Sequence, residues 1–507
     1  MGNDSNRLLN SQQKSSFRGL LMTVKQGISR RKFLKRSSQL SLASVAAAQG
    51  LGLTGLLNAS HAMADSGDFR ALVFIMLEGG NDSFNMLLPS GASPLRTNYE
   101  QGRGIVSLPS QELHELNLAS PAKVYGNLQS NGFGMHPQCA QLAELFNNRE
   151  LSLICNLGNL IQPVNRQQWH QGTAKVPPRL FSHSDQQRQT QSQPEDPFLF
   201  GWGGRMAEMI ASRNIDASVS PLISLAGLNS FQVTRDSLIN TYVMGSDGTV
   251  SLYGFNGSRQ QMIEASMLGV TSESHLMEQK YRDVFASARQ AQLVVRAAYD
   301  LAEATGVDYD AVFEAAGATN TQFTRRLKTI AKMIAGRAAT SNSRPVYFIK
   351  LDGFDNHQNL LWDHSQRMAE LSSALQGFRD VLVAQGDFDK TLSYVTSEFA
   401  RTFTANGEDS EAGTDHGWGG HAIVMGDMIN GGRLFGEHPD LQLDGDLDTF
   451  RGCWIPTTAN TQVSGVIANW MGVADNQLTE LFPSLDNFPS PFDPASNLDF
   501  IATGVNS

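Results

Sequence analysis

Residues 344–357 read Arg344-Pro345-Val346-Tyr347-Phe348-Ile349-Lys350-Leu351-Asp352-Gly353-Phe354-Asp355-Asn356-His357. A short apolar run bounded by Pro and Gly predicts a buried strand, and its C-terminal end runs straight into acid and imidazole. The same grammar recurs at Thr391–Thr396 (TLSYVT), which continues into Ser397, Glu398 and Phe399, and then into a glycine-rich loop, Gly413-Thr414-Asp415-His416-Gly417-Trp418-Gly419-Gly420-His421. Oxygen and nitrogen ligands gathered at the C-terminal ends of strands are what a hydrolytic metal site in an α/β sheet requires.

Outward from these strands the alternation persists. Arg70–Leu77 (RALVFIML) predicts a further buried strand, opening into the turn Glu78-Gly79-Gly80-Asn81-Asp82-Ser83. Residues 90–133 are punctuated by Gly, Ser and Pro and read as a long surface connection. Pro137–Asn147 has helical spacing and Glu150–Asn156 (ELSLICN) reads as the next strand, which together imply a parallel βαβ unit. Helices are expected at 201–213, 277–305, 320–338 and 363–385, and His421–Gly426 (HAIVMG) as a strand. The pattern predicts an α/β fold, a three-layer sandwich around a mainly parallel sheet, in one domain spanning 65–507 with a helical insertion at about 228–340 that caps the sheet edge.

The N-terminus is different in kind. Ser29-Arg30-Arg31-Lys32-Phe33-Leu34-Lys35 is a twin-arginine sequence, followed by a mildly apolar stretch from Leu40 to Leu57 and by Ala62-Met63-Ala64, which has the form of a cleavage site. Residues 1–64 are therefore expected to be a removable signal that engages the twin-arginine export machinery, giving a periplasmic or extracellular protein with no stable membrane span after processing. Nine of the 39 basic residues but only one of the 49 acidic ones lie in that signal, so the mature chain is more acidic than the net −10 of the whole. With no basic stripe, a nucleic-acid partner is disfavoured. Three cysteines (Cys139, Cys155, Cys453) make neither a disulfide framework nor a thiolate zinc cluster, and buried free thiols are expected.

Asp355 and His357 at one strand end, Glu398 at the next, and Asp415, His416 and His421 in one loop form a candidate ligand set for zinc, manganese or a similar divalent ion. His364, inside a predicted helix, is left out. Asp82 lies at the end of the first strand, on the same sheet edge, and reads either as a further ligand or as a helix cap. Ser182 precedes a predicted helix. It reads as a nucleophile that a helix N-terminus and a metal would activate, or, with Asp185, as a plain capping box. Arg401 reads as an anion clamp or as a structural ion-pair partner.

These residues resemble the DUF1501 family, twin-arginine-exported bacterial proteins in the alkaline phosphatase/sulfatase superfamily. The resemblance spans about 70–490 and rests on five steps in order: Gly79-Gly80-Asn81-Asp82, Ser182-His183, Phe354-Asp355-Asn356-His357, Ser397-Glu398-Phe399-Ala400-Arg401-Thr402 and Gly413-Thr414-Asp415-His416-Gly417. It implies an alkaline phosphatase-like fold. It also implies a site in two parts, with Asp82, Glu398 and Asp415/His416 in one, Asp355, His357 and His421 in the other, and Ser182 as nucleophile. Glu398-Phe399 stands where the superfamily has Asp-His, and the Cys/Ser-x-Pro-x-Arg sequence of formylglycine sulfatases is missing. The expectation is a metal-dependent hydrolase of phosphate or sulfate esters acting on a small-molecule or polysaccharide substrate. The alternative is a non-catalytic cell-envelope binding or assembly protein that keeps the fold.

Overall fold

The computed structural model describes residues 69–502, apart from 198–199, 215–216, 236–238, 247, 249–256 and 272–273. The predicted export signal, residues 1–64, lies outside the described residues. Those described all fall within one compact unit, Ala64–Ser507.

Among the described residues, nine short segments make the main sheet: β1 (Ala71–Glu78), β2 (Leu151–Gly158), β3 (Leu222–Ser224), β4 (Tyr242–Val243), β5 (Val346–Asp352), β6 (Thr391–Ser397), β7 (Gly420–Met425), β8 (Leu434–Gly436) and β9 (Thr458–Ala459). Their order is β8-β2-β7-β6-β1-β5-β3-β4, with β9 also on β2. β7 pairs antiparallel with both neighbours, and every other pairing is parallel. The expected α/β architecture with a mainly parallel sheet is what forms. The expected local βαβ unit is not: β1 and β2 point the same way, but β6 and β7 lie between them.

Strand periodicity divides the core into two layers. Along β1, Val73, Ile75 and Leu77 face one layer, while Leu72, Phe74 and Met76 face the other. Helices cover both faces: α1 (Pro94–Arg103), α2 (Ala140–Asn147), α3 (His183–Gln191), α4 (Trp202–Met209), α5 (Leu276–Ala304), α6 (Gln322–Ala335), α7 (Leu360–Ala384) and α8 (Asn460–Met471). Residues of α2, α6 and α7 fill the first layer, and residues of α4 and α8 the second.

Two expectations are revised. Segment 90–133 is no plain surface connection: it holds α1 and the short strands His114–Glu115, Ala122–Val124 and Leu128–Ser130, and it buries Tyr99 and Arg103 completely. Segment 228–340 is only partly a cap, since β4 extends the sheet edge and α6 is a core helix with Leu327, Ile330 and Ile334 fully buried. All three cysteines are free and buried, as expected. No described helix is long and apolar enough to cross a membrane.

Four histidines are buried in this frame. Burial pulls His136 and His364 down to about 3 and His438 to about 4, and pushes His421 well below its ordinary value. The unfolded chain binds protons at these positions near pH 6.5, whereas the folded chain refuses them until far lower. Their effect on stability is thus nil above pH 6.5 and unfavourable as pH falls below it, by at most about 1.4 kcal/mol per histidine for each pH unit. Urea midpoints at pH 7.5 and 5.5 check this. The mature protein is expected to lose more stability on acidification than its His364→Gln/His438→Gln variant, and equal losses would contradict it.

Candidate metal site

The parallel strands deliver their C-terminal ends to one edge, and four segments converge there. The turn after β1 begins with Gly79, at φ +121°, a conformation in which a Cβ would lie 2.3 Å from the Asp355 amide nitrogen. Only glycine allows that approach of the two strand-end turns. Beyond β6, residues 400–402 pair with the hairpin 415–418 through Thr402 N–H to Asp415 O (2.8 Å) and Gly417 N–H to Ala400 O (2.7 Å). The Thr414 N–H then donates to Asn356 O (3.1 Å), tying that hairpin to the end of β5. The fourth segment is the start of α3, where Phe181 is held in the left-handed region (φ +70°).

Asp355 is the centre of the site. Its Oδ1 lies 3.0 Å from His357 Nε2 and 3.3 Å from His416 Nε2, and its Oδ2 lies 3.4 Å from His183 Nε2. His357 Nε2 and His416 Nε2 are themselves 3.1 Å apart. Each imidazole is aimed from behind by its other nitrogen. His183 Nδ1 meets Glu398 Oε1 (3.0 Å), His357 Nδ1 meets Asp415 Oδ1 (3.2 Å), and His416 Nδ1 meets Phe181 O (2.7 Å). With Nδ1 donating to a carboxylate or carbonyl, each ring can present Nε2 toward Asp355, as a proton donor to that carboxylate or, with a cation between them, as a ligand.

The backing groups are themselves fixed. The Glu398 side chain has no solvent exposure, and it also accepts from Gly79 N–H (2.9 Å) and from Gln187 Nε2 (3.2 Å), one turn along α3 from His183. Arg451 bonds Asp415 at 2.6 Å. Arg401, also without exposure, donates Nη1 to Asp355 Oδ1 (2.6 Å) and to Gly79 O (3.0 Å), and Nη2 to Thr414 O.

The electrostatics follow from these contacts. Burial works against the charge on Asp355, but the hydrogen bond and charge of Arg401 prevail and hold its carboxyl below the usual range. Asp415 is likewise held low, its burial outweighed by Arg451. The hydrogen bond that His183 donates to Glu398 raises its pKa, whereas burial lowers that of His416.

These donors fit a divalent ion. Ligand atoms on one tetrahedral ion at about 2.1 Å sit about 3.4 Å from each other, and four of the contacts around Asp355 run from 3.0 to 3.4 Å. Among the described residues, His183, Asp355 and His416 offer one atom each within 4.8 Å of one another, and His357 joins that set through Asp355 and His416 alone. Neutral imidazoles backed by carboxylate or carbonyl are the arrangement that metal-ligating histidines adopt.

Of the residues singled out in the sequence, Asp355, His357 and His416 meet at this point, with Glu398 and Asp415 behind them as orienting groups. Two others, Asp82 and His421, stand apart, and Arg401 has a role behind Asp355. Asp82 is fully buried and ion-paired with Arg103; burial raises its pKa against the pull of that arginine, and it neither caps a helix nor reaches the histidines. His421 lies within β7, where the two-residue alternation turns it to the same layer as Ile423 and Met425. There it packs between Phe84 (4.6 Å) and His438 (5.0 Å). Arg401 is a structural pin, wholly buried and bonded to Asp355, Gly79 O and Thr414. The expected division of the site into two parts therefore becomes one cluster.

Ser182 does not cap α3; its Oγ donates to Asp185 Oδ2 at 2.6 Å. It nevertheless stands between Phe181, which holds His416, and His183. The residue missed was His183 itself. Its signal was the Ser182-His183 step at a helix start, with Gln187 four residues on along the same helix face.

An α/β sandwich with a histidine–carboxylate cluster at the C-terminal edge of its parallel strands defines the class of protein. The chain belongs to the family described as protein of unknown function (DUF1501), whose model matches residues 70–450. None of the curated proteins matches it. Among solved structures it is similar to the lipoteichoic acid synthase LtaP from Listeria monocytogenes, with 8% identity, 76% of this chain and 75% of that chain covered, and a TM-score of 0.30. It is similar to Ps i-CgsB at 9% identity, 83% and 77% coverage and TM-score 0.30. It is similar also to the PsFucS1 sulfatase from Pseudoalteromonas sp. at 9% identity, 76% and 69% coverage and TM-score 0.29. These likenesses are faint, and no residue role is carried over from them.

Two outcomes are expected. Gly79→Ala forces the β1 turn away from Asp355 and should cost on the order of 2–4 kcal/mol in chemical denaturation; a loss below about 0.5 kcal/mol, the range of an ordinary surface change, would contradict the close approach. Glu398→Gln leaves the shape intact but removes the charge behind His183, and should weaken zinc binding about 10- to 100-fold in a chelator competition; unchanged affinity would place His183 outside the ligand set.

Proposed function

We propose that the protein is an exported, metal-dependent hydrolase of phosphate or sulfate esters, with zinc or manganese held by His183, Asp355, His357 and His416. The observation that carries this reading is the convergence of three Nε2 atoms on one carboxylate, each imidazole oriented by a separate partner. A divalent ion bound there supplies Lewis acidity toward an ester oxygen and stabilises negative charge that develops in the transition state.

The chain's own residues would do the rest. The Ser182 hydroxyl, fixed between two residues that build the cluster and lying at the positive end of α3, is the candidate nucleophile. Asp185, 2.6 Å away, is placed to take its proton as the oxygen bonds to phosphorus or sulfur. The bond to the ester alcohol breaks and the alcohol leaves with a proton from water; the hydroxide that remains then displaces Ser182 from phosphorus or sulfur, releasing phosphate or sulfate, and Asp185 returns its proton to the Ser182 oxygen. Glu398 and Asp415 hold two of the imidazoles in the tautomer that faces inward. In this reading the twin-arginine sequence takes the folded protein to the periplasm or beyond, and the substrate is a small-molecule or polysaccharide ester.

One observation favours the other reading, a cell-envelope binding or assembly protein without turnover: Arg401, expected to grip the ester's oxyanion, is wholly buried and commits four of its five N–H groups to bonds inside the protein. Metal analysis together with assays on aryl phosphates and aryl sulfates separates the two. The hydrolase reading expects near-stoichiometric zinc or manganese that is lost in His416→Ala and Asp355→Asn. It expects turnover that Ser182→Ala lowers at least a hundredfold, roughly the scale of losing a nucleophile's contribution, while the metal stays. A metal-free protein, inert on both ester classes with either ion added, would overturn it.

A further inference from the structure

Beside the cluster lies a cavity of about 200 Å³ that the chemistry above does not use. One wall is the next face of α3, where Ser184, Gln187 and Gln191 fall at helical spacing. Its floor is the sheet edge, with Glu78 from β1 and Phe348 and Lys350 from β5, and the loop 226–230 closes the far side. Gln187 belongs to both places: it lines the cavity and donates to Glu398, which holds His183. A ligand in this cavity would therefore reach to within one side chain of the cluster.

The lining selects a kind of ligand. Its charges are already matched: Lys350 lies 2.7 Å from Glu78 and 3.2 Å from Asp352, and Arg188 is also partnered. An anion would find no unspent cation there. An apolar ligand would strand the amides and hydroxyls that make up most of the wall. What remains is a neutral group whose polar atoms both donate and accept, with some carbon surface to lie against Phe348 and the rim residue Leu228, which is 86% exposed. Hydroxyl-rich rings have that character, because each hydroxyl donates once and accepts twice, which suits amide and mixed-charge neighbours. Glu78 adds to the match. Burial, with the neighbouring Asp352, lifts its carboxyl to about 7, so that near neutral pH it can offer or accept a proton.

We infer that this cavity is a saccharide subsite, and that the ester cleaved at the cluster is carried on a sugar whose neutral ring sits between α3 and the loop 226–230. In naming the alcohol half of the ester, the inference rests on the hydrolytic reading. Binding and turnover are separable, however, because the cavity and the cluster share only Gln187.

The test is saturation-transfer NMR on the mature full-length protein with maltotriose, cellotriose and chitotriose, repeated with inorganic sulfate and inorganic phosphate as competitors. At least one neutral trisaccharide is expected to bind saturably, with neither anion displacing it. Ala226→Trp, which fills the cavity, and Leu228→Asp, a change at the exposed rim that leaves the core untouched, should each weaken it about tenfold or more. His416→Ala should leave it unchanged. No binding by any of the three sugars, displacement by either anion, or full binding in both cavity variants would overturn the inference. Saccharide binding in a protein with neither metal nor ester turnover would sink the hydrolytic reading and leave the subsite standing.

Discussion

The ion pair between Arg401 and Asp355 is the interaction on which the rest of the site depends. The guanidinium is wholly buried, and its fork is divided among three segments: Gly79 O after β1, Asp355 after β5, and Thr414 O in the hairpin loop. A charged group in that position must be fully partnered, because an unpaired guanidinium out of water is strongly unfavourable. The partners available are these strand-end groups. Satisfying Arg401 therefore fixes the Asp355 carboxylate in space, and with it the point at which the imidazoles meet.

The sheet makes that geometry reachable. β1, β5 and β6 are neighbours and run parallel, so their ends arrive together. Orientation comes from a further shell. Glu398, Asp415 and the Phe181 carbonyl lie on three separate segments, and each fixes one ring. The strained backbone at Phe181 has a physical role in this picture: the left-handed residue sits where its carbonyl must face His416 while the chain turns into α3. An arrangement of this kind is organised before any ligand arrives, which is what a site that must stabilise developing charge needs.

Much of this was legible in the sequence, for a definite reason. Strands buried on both faces are continuous apolar runs, and the polar residues that end them are exposed to one edge; Asp355, His357, Glu398 and His416 could be named on that basis alone. What could not be read was tertiary. Whether Arg401 or Asp82 is free or paired depends on Gly79, Thr414 and Arg103, which lie between 13 and 322 residues away. His421 was grouped with the loop ligands although a strand was expected from His421 onward; β7 begins at Gly420, and its alternation points that imidazole into the core. His183 was passed over because the hydroxyl beside it drew the reading of the helix start. The short strands and helix of 90–133 were hidden by turn residues that also punctuate small sheets.

The measurement that bears most directly on the central claim is metal-edge X-ray absorption on the purified mature protein. The account predicts one divalent ion per chain with nitrogen and oxygen ligands only, at about 2.0–2.2 Å, three of them imidazole, falling to two in a His183→Ala variant. A spectrum with no imidazole scattering, or one that the loss of His183 leaves unchanged, would contradict it.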